Sequence, residues 1–310
     1  MSARIPLPPE FARVPFTVAA GLRAGITEDR MRGPDLNRPF HGVRAANCDE
    51  SLLALCAAYA PLLRPDQFFS HVTAARLWRL PLPRRFDPTE SLHVSTLAPH
   101  RAPRSTGIVG HQAAAATAID VRHGLPVSGP VATWLALCSV LGFDDLVAVG
   151  DALILDPVVA EVGRPHATLD ELAAATAQFS GRGARVAASA VPRLRLGAES
   201  RPETILRLLL ERAGLPEPMV NIDVCDSMGR FLGRADLSYP QWHTIVEYDG
   251  DEHRTDDAQY EKDMTRIEDF VLAGQRVVRV RKRGLFVAPD ATVARVRGAL
   301  SAAGWSPHPR

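Results

Sequence analysis

The sequence predicts an α/β protein, with a mostly helical N-terminal region that also holds strands and a C-terminal α/β/α sandwich around a mixed sheet. Its 310 residues exceed the usual length of one compact domain. Its apolar fraction of 46% and charged fraction of 23% are ordinary for a globular protein. After residue 198 the pattern becomes helix, three strands, helix, strand and helix, which is typical of helices layered on a sheet. We therefore expect an N-terminal region at 1–192 and a C-terminal domain at 193–310.

Residues 15–45 predict two short helices followed by a β segment. Thr17 is a suitable N-cap for the first helix, and Gly25 interrupts the helical pattern. Thr27 precedes a second helix whose first turn carries acids, as the helix dipole favours. This order is the outline of a winged helix-turn-helix, which would contact DNA, but many small helical hairpins share it. Both interpretations stay open.

The rest of the N-terminal region predicts further helices and short strands. Val72, Ala75 and Trp78 lie at helical spacing. A capping-box pattern from Thr168 to Glu171 marks the start of another helix. The predicted helices lie at 48–60, 66–80, 131–141 and 144–154, and the predicted strands at 92–96 and 107–111.

The C-terminal region begins with a predicted helix from 199 to 214. Ser200 can cap it, Pro202 suits its first turn, and Gly214 ends it. The elements expected after it are strands at 220–224, 234–238 and 244–248, a helix at 256–273, a strand at 275–281 and a helix at 288–302.

Four carboxylates of this region fall where a core is expected. Glu203 lies in the first helix, and Asp236 interrupts an apolar strand. Glu247 and Asp249 are two residues apart on the next strand, so their side chains share one face. Central strands of a sandwich are normally apolar, so these acids need a partner or a cation such as Mg²⁺ or Mn²⁺. The alternative is a solvated strand end before the turn at Gly250.

Residues 199–288 resemble the restriction-endonuclease-like, PD-(D/E)XK-type domain, and are similar to very-short-patch-repair endonucleases. That domain occurs at the C-terminus of many actinobacterial proteins. The segments that carry the resemblance are SRPET at 200–204, GRADL at 233–237, VEYDG at 246–250, His253, DMTR at 263–266 and GQRVVRV at 274–280. The resemblance implies that Asp236 and Glu247 are metal ligands and that Glu203 assists them. It places Asp249 at the last motif position, where it could also bind the metal.

The chain departs from that family at Asp249, because many of these nucleases have lysine there. An aspartate cannot counter the charge of a phosphate. A second metal ion, His253, Lys262 or Arg266 would have to substitute, or the site has lost cleavage. His253 is a candidate base because it follows the acids directly, although a lone histidine is more often a surface residue.

Basic residues crowd the last predicted strand and its exit. Arg279 and Arg281 alternate with Val278 and Val280, so the two arginines share a face. With Lys282 and Arg266 they are candidates for phosphate contacts, which would give salt-dependent DNA binding. A basic edge strand can also serve only to prevent pairing with another chain.

The N-terminal region is more distantly similar to antitoxins of abortive-infection type IV toxin–antitoxin systems. The similarity lies at 16–44, in SHVTAARLW at 70–78, in LHV at 92–94 and in the Gly-Pro pair at 129–130. It implies recognition of DNA or of a protein partner, and it carries over no catalytic residue.

The remaining features concern location and function class. No run of about 18 apolar residues predicts a membrane span, and the first residues lack the apolar core of a signal peptide. The four cysteines are scattered, which argues against a zinc site and a disulfide framework and favours the cytoplasm. The expected function is a Mg²⁺-dependent DNA endonuclease or nickase. The alternatives are a non-catalytic, antitoxin-like regulator that binds nucleic acid, or a scaffold that binds no metal.

Overall fold

The computed structural model describes residues 6–46, 49–157, 161, 163–250 and 257–307. The chain forms two compact units, Met1–Val140 and Leu141–Arg310. Each unit combines helices with a sheet that has both parallel and antiparallel strands, so the predicted α/β class is confirmed. The units divide 52 residues before the domain boundary expected at 192/193, which stays a prediction. No helix in the described ranges is long and apolar enough to cross a membrane.

The first unit opens with the predicted pair of short helices and a β segment. Thr17 and Thr27 cap these helices through their side chains, as expected. The helices of the unit are α1 (Val18–Arg23), α2 (Glu28–Met31), α3 (Leu52–Tyr59), α4 (His71–Leu77) and α5 (Pro130–Leu137). Its strands are β1 (Phe16–Thr17), β2 (Val43–Arg44), β3 (Gln67–Phe69), β4 (Leu92–Leu97), β5 (Ile108–Ala113), β6 (Ile119–Arg122) and β7 (Leu125–Ser128). Assignment of 15–45 to the winged-helix class stays a prediction.

Strands β1 and β2 pair with each other, and the other five strands form one sheet in the order β5-β4-β3-β7-β6. The sequence predicts a single helix over 66–80, and this is wrong for Gln67–Phe69, which is strand β3. All three of its residues are buried, because β3 lies between β4 and β7 in the middle of the sheet. A short, fully buried strand has no alternation to separate it from a helix.

The second unit begins with helices that precede the predicted sandwich. Its helices are α6 (Phe143–Ile154), α7 (Leu169–Gln178), α8 (Ala184–Ala190), α9 (Arg201–Arg212), α10 (Asp257–Leu272), α11 (Lys282–Phe286) and α12 (Pro289–Ala302). Its strands are β8 (Met219–Cys225), β9 (Phe231–Tyr239), β10 (Thr244–Asp249) and β11 (Arg276–Arg281). Apart from the short helix α11, the elements after residue 198 follow the predicted order.

Helices cover both faces of the second sheet, whose order is β11-β10-β9-β8. On one face, side chains of α9 and α12 pack on Leu237, Val246 and Val280. On the other face, Phe270 of α10 packs on Ile245 and its neighbours. Strands β9 and β10 are antiparallel, whereas β10 and β11 are parallel. The face under α10 also carries Glu247, which lies 3.0 Å from Arg266 of that helix.

Candidate active site between strands β9 and β10

Asp236 and Glu247 lie next to each other where strands β9 and β10 stop pairing. The ladder between these strands ends at the pair Val246↔Leu237. Beyond it the two carboxylates replace backbone acceptors: the Asp236 N–H donates to Glu247 Oε1 at 3.1 Å, and the Tyr248 N–H donates to Asp236 Oδ2 at 2.7 Å. The structure therefore brings together the two acids that the resemblance assigns as metal ligands.

The surroundings of Asp236 disfavour its charged form. Burial raises the pKa of Asp236 well above its ordinary value, and the neighbouring charges of Glu247 and Glu203 raise it further. The Tyr248 N–H and the Arg266 guanidinium act in the opposite direction. Within the described residues, Asp236 Oδ1 accepts no hydrogen bond. A proton or a cation at this oxygen would relieve the repulsion.

Glu203 reaches this group of acids from the first turn of α9. Its side chain is 8% exposed, and burial raises its pKa. Its Oε2 accepts hydrogen bonds from Asn221 Nδ2 at 2.6 Å and from the Glu199 N–H at 2.9 Å. Ser200 caps the helix through the Glu203 N–H, as its position in the sequence predicts. These contacts fix the Glu203 carboxylate close enough to Asp236 for its charge to raise the pKa of Asp236.

Arg266 of α10 contacts Glu247. Its Nη2 lies 3.0 Å from Glu247 Oε2, and its Nη1 donates to the Arg234 carbonyl at 2.8 Å. The side chain passes directly over Gly233, where an added Cβ would lie 2.7 Å from Arg266 Cγ and Cδ. Glycine at 233 is thus what allows the arginine to reach Glu247. The predicted phosphate contact of Arg266 stays a prediction.

Asp249 is placed in a different environment from Asp236 and Glu247. Its Oδ2 lies 2.9 Å from Arg279 Nη2 and 3.2 Å from Arg281 Nε. The register of the parallel strands produces these contacts, since Glu247 lies opposite Arg279 and Asp249 lies opposite Arg281. The expected alternation of β11 is confirmed, because Val278 and Val280 are buried on the opposite face. A metal-ligand role for Asp249 stays a prediction.

Two further predicted residues contribute less to this picture. Lys282 begins α11 and is exposed, directly after Arg281. His253 lies outside the described residues, so its role as a base stays a prediction.

A cluster of three histidines in the first unit was not predicted from the sequence. His71, His93 and His111 each offer a ring nitrogen, and these nitrogens lie within 4.8 Å of one another. Among the described residues, it is the only group of three or more His, Cys, Asp or Glu side chains whose ligand atoms all lie this close to one another. The signal was present in the sequence, since the strands predicted at 92–96 and 107–111 each carry a histidine, but the metal site was predicted from carboxylates and zinc was excluded on cysteine spacing alone.

Comparison with known proteins adds no relative. No family model matches the sequence, no curated protein matches it, and no solved structure matches the fold.

Proposed function

We propose that the second unit is a Mg²⁺- or Mn²⁺-dependent phosphodiesterase that acts on DNA as an endonuclease or nickase. The observation that carries the proposal is the apposition of Asp236 and Glu247 at the point where β9 and β10 part, with Glu203 beside them. A bound cation relieves the mutual repulsion within such a group. Acids whose pKa is raised in this way are frequent at functional sites.

The donor set suits a hard divalent cation. Mg²⁺ usually keeps several waters and is held by only one or two carboxylates, so Asp236 Oδ1 and Glu247 would suffice as direct ligands. Glu203 would act through water, because the three acids do not form a group with all ligand atoms within 4.8 Å. When bound, the cation would stabilise charge on a phosphate and lower the pKa of a water molecule.

The chain's own residues would orient this chemistry. The N–H groups of Asp236 and Tyr248 hold the two carboxylates rigidly, and Asn221 holds Glu203. Arg266 pairs with Glu247 and would pass from it to an entering phosphate, because arginine suits both partners. Arg279 and Arg281 would stay paired with Asp249. The contact with DNA would then be made by Lys282, which is exposed.

The test is cleavage of supercoiled plasmid and of single-stranded DNA by the full chain with Mg²⁺ or Mn²⁺. We expect Asp236→Asn and Glu247→Gln each to lower the rate by about 10²-fold or more, the scale for losing one charge-stabilising group. Asp223→Asn is the matched control, since this carboxylate is exposed on β8. Equal rates in all four proteins would refute the assigned site.

A second candidate function is a non-catalytic regulator that binds nucleic acid. It is favoured by Asp249, which stands where related nucleases have lysine and is neutralised by two arginines. The same preparations distinguish it. A regulator would bind DNA without a divalent ion, with affinity that falls steeply with salt and is unchanged in Asp236→Asn, and it would cleave nothing.

A further inference from the structure

Three histidines converge at one edge of the sheet in the first unit. His93 lies on β4, His111 lies on the edge strand β5, and His71 begins α4 directly after the central strand β3. The parallel register places Ser95 opposite His111, so His93 and His111 project from the same face. All three side chains are half-buried, so the cluster keeps access to solvent.

The distances between the rings suit a shared metal ion. His93 Nδ1 lies 3.0 Å from His111 Nε2. Two nitrogens bound tetrahedrally to one Zn²⁺ at about 2.0–2.1 Å lie about 3.3–3.4 Å apart, so little movement is needed. The rings of His71 and His111 are stacked, with centroids 3.6 Å apart. A metal lies in the plane of each imidazole that binds it, so the His71 ring would turn out of this stack.

Two buried serines, Ser70 and Ser95, form a hydrogen-bonded pair beside Nδ1 of His71. Ser70 Oγ lies 3.0 Å from His71 Nδ1 and accepts a hydrogen bond from Ser95 Oγ at 2.7 Å. Both serines are 2% exposed. Although Ser70 is at the N-cap of α4, its side chain makes no capping bond. Metal-binding histidines usually have such a partner on the second nitrogen, which leaves Nε2 of His71 for the metal.

The backbone of His93 is anchored as well. Its N–H donates to Thr73 Oγ at 2.8 Å, and its carbonyl accepts from the Ser70 N–H at 3.0 Å. His71 itself has a φ of +50°, a left-handed conformation that is uncommon for residues other than glycine. The first turn of α4 and strand β4 are thus tied together around the cluster.

Burial disfavours a charge on all three rings. Together with the charges of neighbouring rings, it lowers the pKa of His71 to about 3 and that of His93 to about 4. Burial also lowers the pKa of His111. Imidazole ligands suit Zn²⁺, Cu²⁺, Ni²⁺ and Co²⁺, whereas Mg²⁺ prefers oxygen.

We infer that His71, His93 and His111 bind one divalent first-row transition metal ion, such as Zn²⁺, with a coordination position left open to solvent. Three protein nitrogens and one open position are the arrangement of a zinc site that binds a further ligand, whereas purely structural sites have four protein ligands. The site is separate from the carboxylates of the second unit and would take a different class of ion.

The test uses the full chain without a polyhistidine tag, stripped of metal by a chelator. Co²⁺ is titrated in and followed by its visible absorption, and Zn²⁺ then displaces it. We expect one ion per chain, and a loss of affinity of about 10²-fold or more in His93→Gln and His111→Gln. His71→Asn, which tolerates the left-handed backbone, should behave alike. His41→Gln, an exposed histidine of the same unit, is the matched control.

Two further measurements separate this site from the acids and from misfolding. Excess Mg²⁺, or Asp236→Asn, should leave Co²⁺ binding unchanged. Chemical modification of histidines in wild-type protein, read by mass spectrometry, should show that Zn²⁺ protects the three clustered rings and not His41. The inference is overturned if wild type binds no Co²⁺, if the cluster variants bind as tightly as His41→Gln, or if Zn²⁺ protects His41 equally.

Discussion

Asp151 and Asp236 are both buried in the second unit, but the charges around them have opposite effects. The neighbouring arginine lowers the pKa of Asp151, whereas neighbouring carboxylates raise the pKa of Asp236. Asp151 of α6 is 1% exposed and accepts hydrogen bonds from Thr204 Oγ, from Arg207 Nη2 and from the Arg195 N–H. Burial raises its pKa, and the opposing charge of Arg207 helps to limit the rise to a value of about 6. Burial also raises the pKa of Asp236, but there Glu247 adds to the effect.

The difference separates a structural acid from the acids that are proposed to bind a cation. The Asp151 group joins α6 to α9 with donors that the chain supplies itself. The acids at Asp236 lie beside one another, so their environment improves when something positive enters. Burial alone therefore does not indicate function; the charge of the neighbours does.

The largest change in stability is expected for Asp151→Ala. Arg207 is 0% exposed, so the variant removes one of the two carboxylates that pair with this buried guanidinium and leaves it to Glu211 and the Arg193 carbonyl. We expect a loss of about 3–5 kcal/mol in the free energy of unfolding, the range for a broken buried ion pair. Urea denaturation measures it, with exposed Asp223→Ala as the control, expected within about 0.5 kcal/mol. A loss no larger than that of the control would show that Asp151 is not structural.

Asp236→Asn should act in the opposite direction and stabilise the protein without metal, by about 1 kcal/mol or roughly 2–4 °C in melting temperature. The raised folded pKa of Asp236 gives stability that is fully present below the ordinary carboxyl pKa and is lost as pH rises through the folded value. The variant does not titrate, so its advantage should grow from pH 4 to pH 8. Thermal melts across this range measure it, and a destabilised variant at pH 8 would contradict the repulsion.

The smallest effect is expected at Asp249. Its side chain and that of Arg279 are 21% and 28% exposed, and that of Arg281 is 58% exposed. Ion pairs of this kind contribute about 0–1 kcal/mol, so Asp249→Asn should cost less than about 1 kcal/mol in urea denaturation. A cost near that of Asp151→Ala would place Asp249 with the structural acids instead.

Much of the second unit could be predicted from the sequence because its elements have strong local signals. Ser200 caps α9 as expected, and the valines of β11 face the core as their alternation predicts. The proximity of Asp236 and Glu247 was implied by the resemblance, which assigns both as metal ligands, and not by the local pattern of either strand.

What could not be predicted depends on tertiary contacts. The arginines beside Asp249 follow from the parallel register of β10 and β11, which no local pattern encodes. The sequence predicts helix at strand β3, because three buried residues in a row show no alternation that would mark a strand. The histidine cluster unites residues from three separate elements, and His71 lies next to that mistaken segment.

Gly233 has no side chain, and the space above it is filled by Arg266, the cation that pairs with Glu247. Arg266 reaches Glu247 only because nothing projects from the backbone at 233. A side chain there would collide with Arg266 Cγ and Cδ and push the guanidinium away from Glu247, with every acid still in place. A change at Gly233 would thus be as informative about this group of acids as the loss of one of its carboxylates.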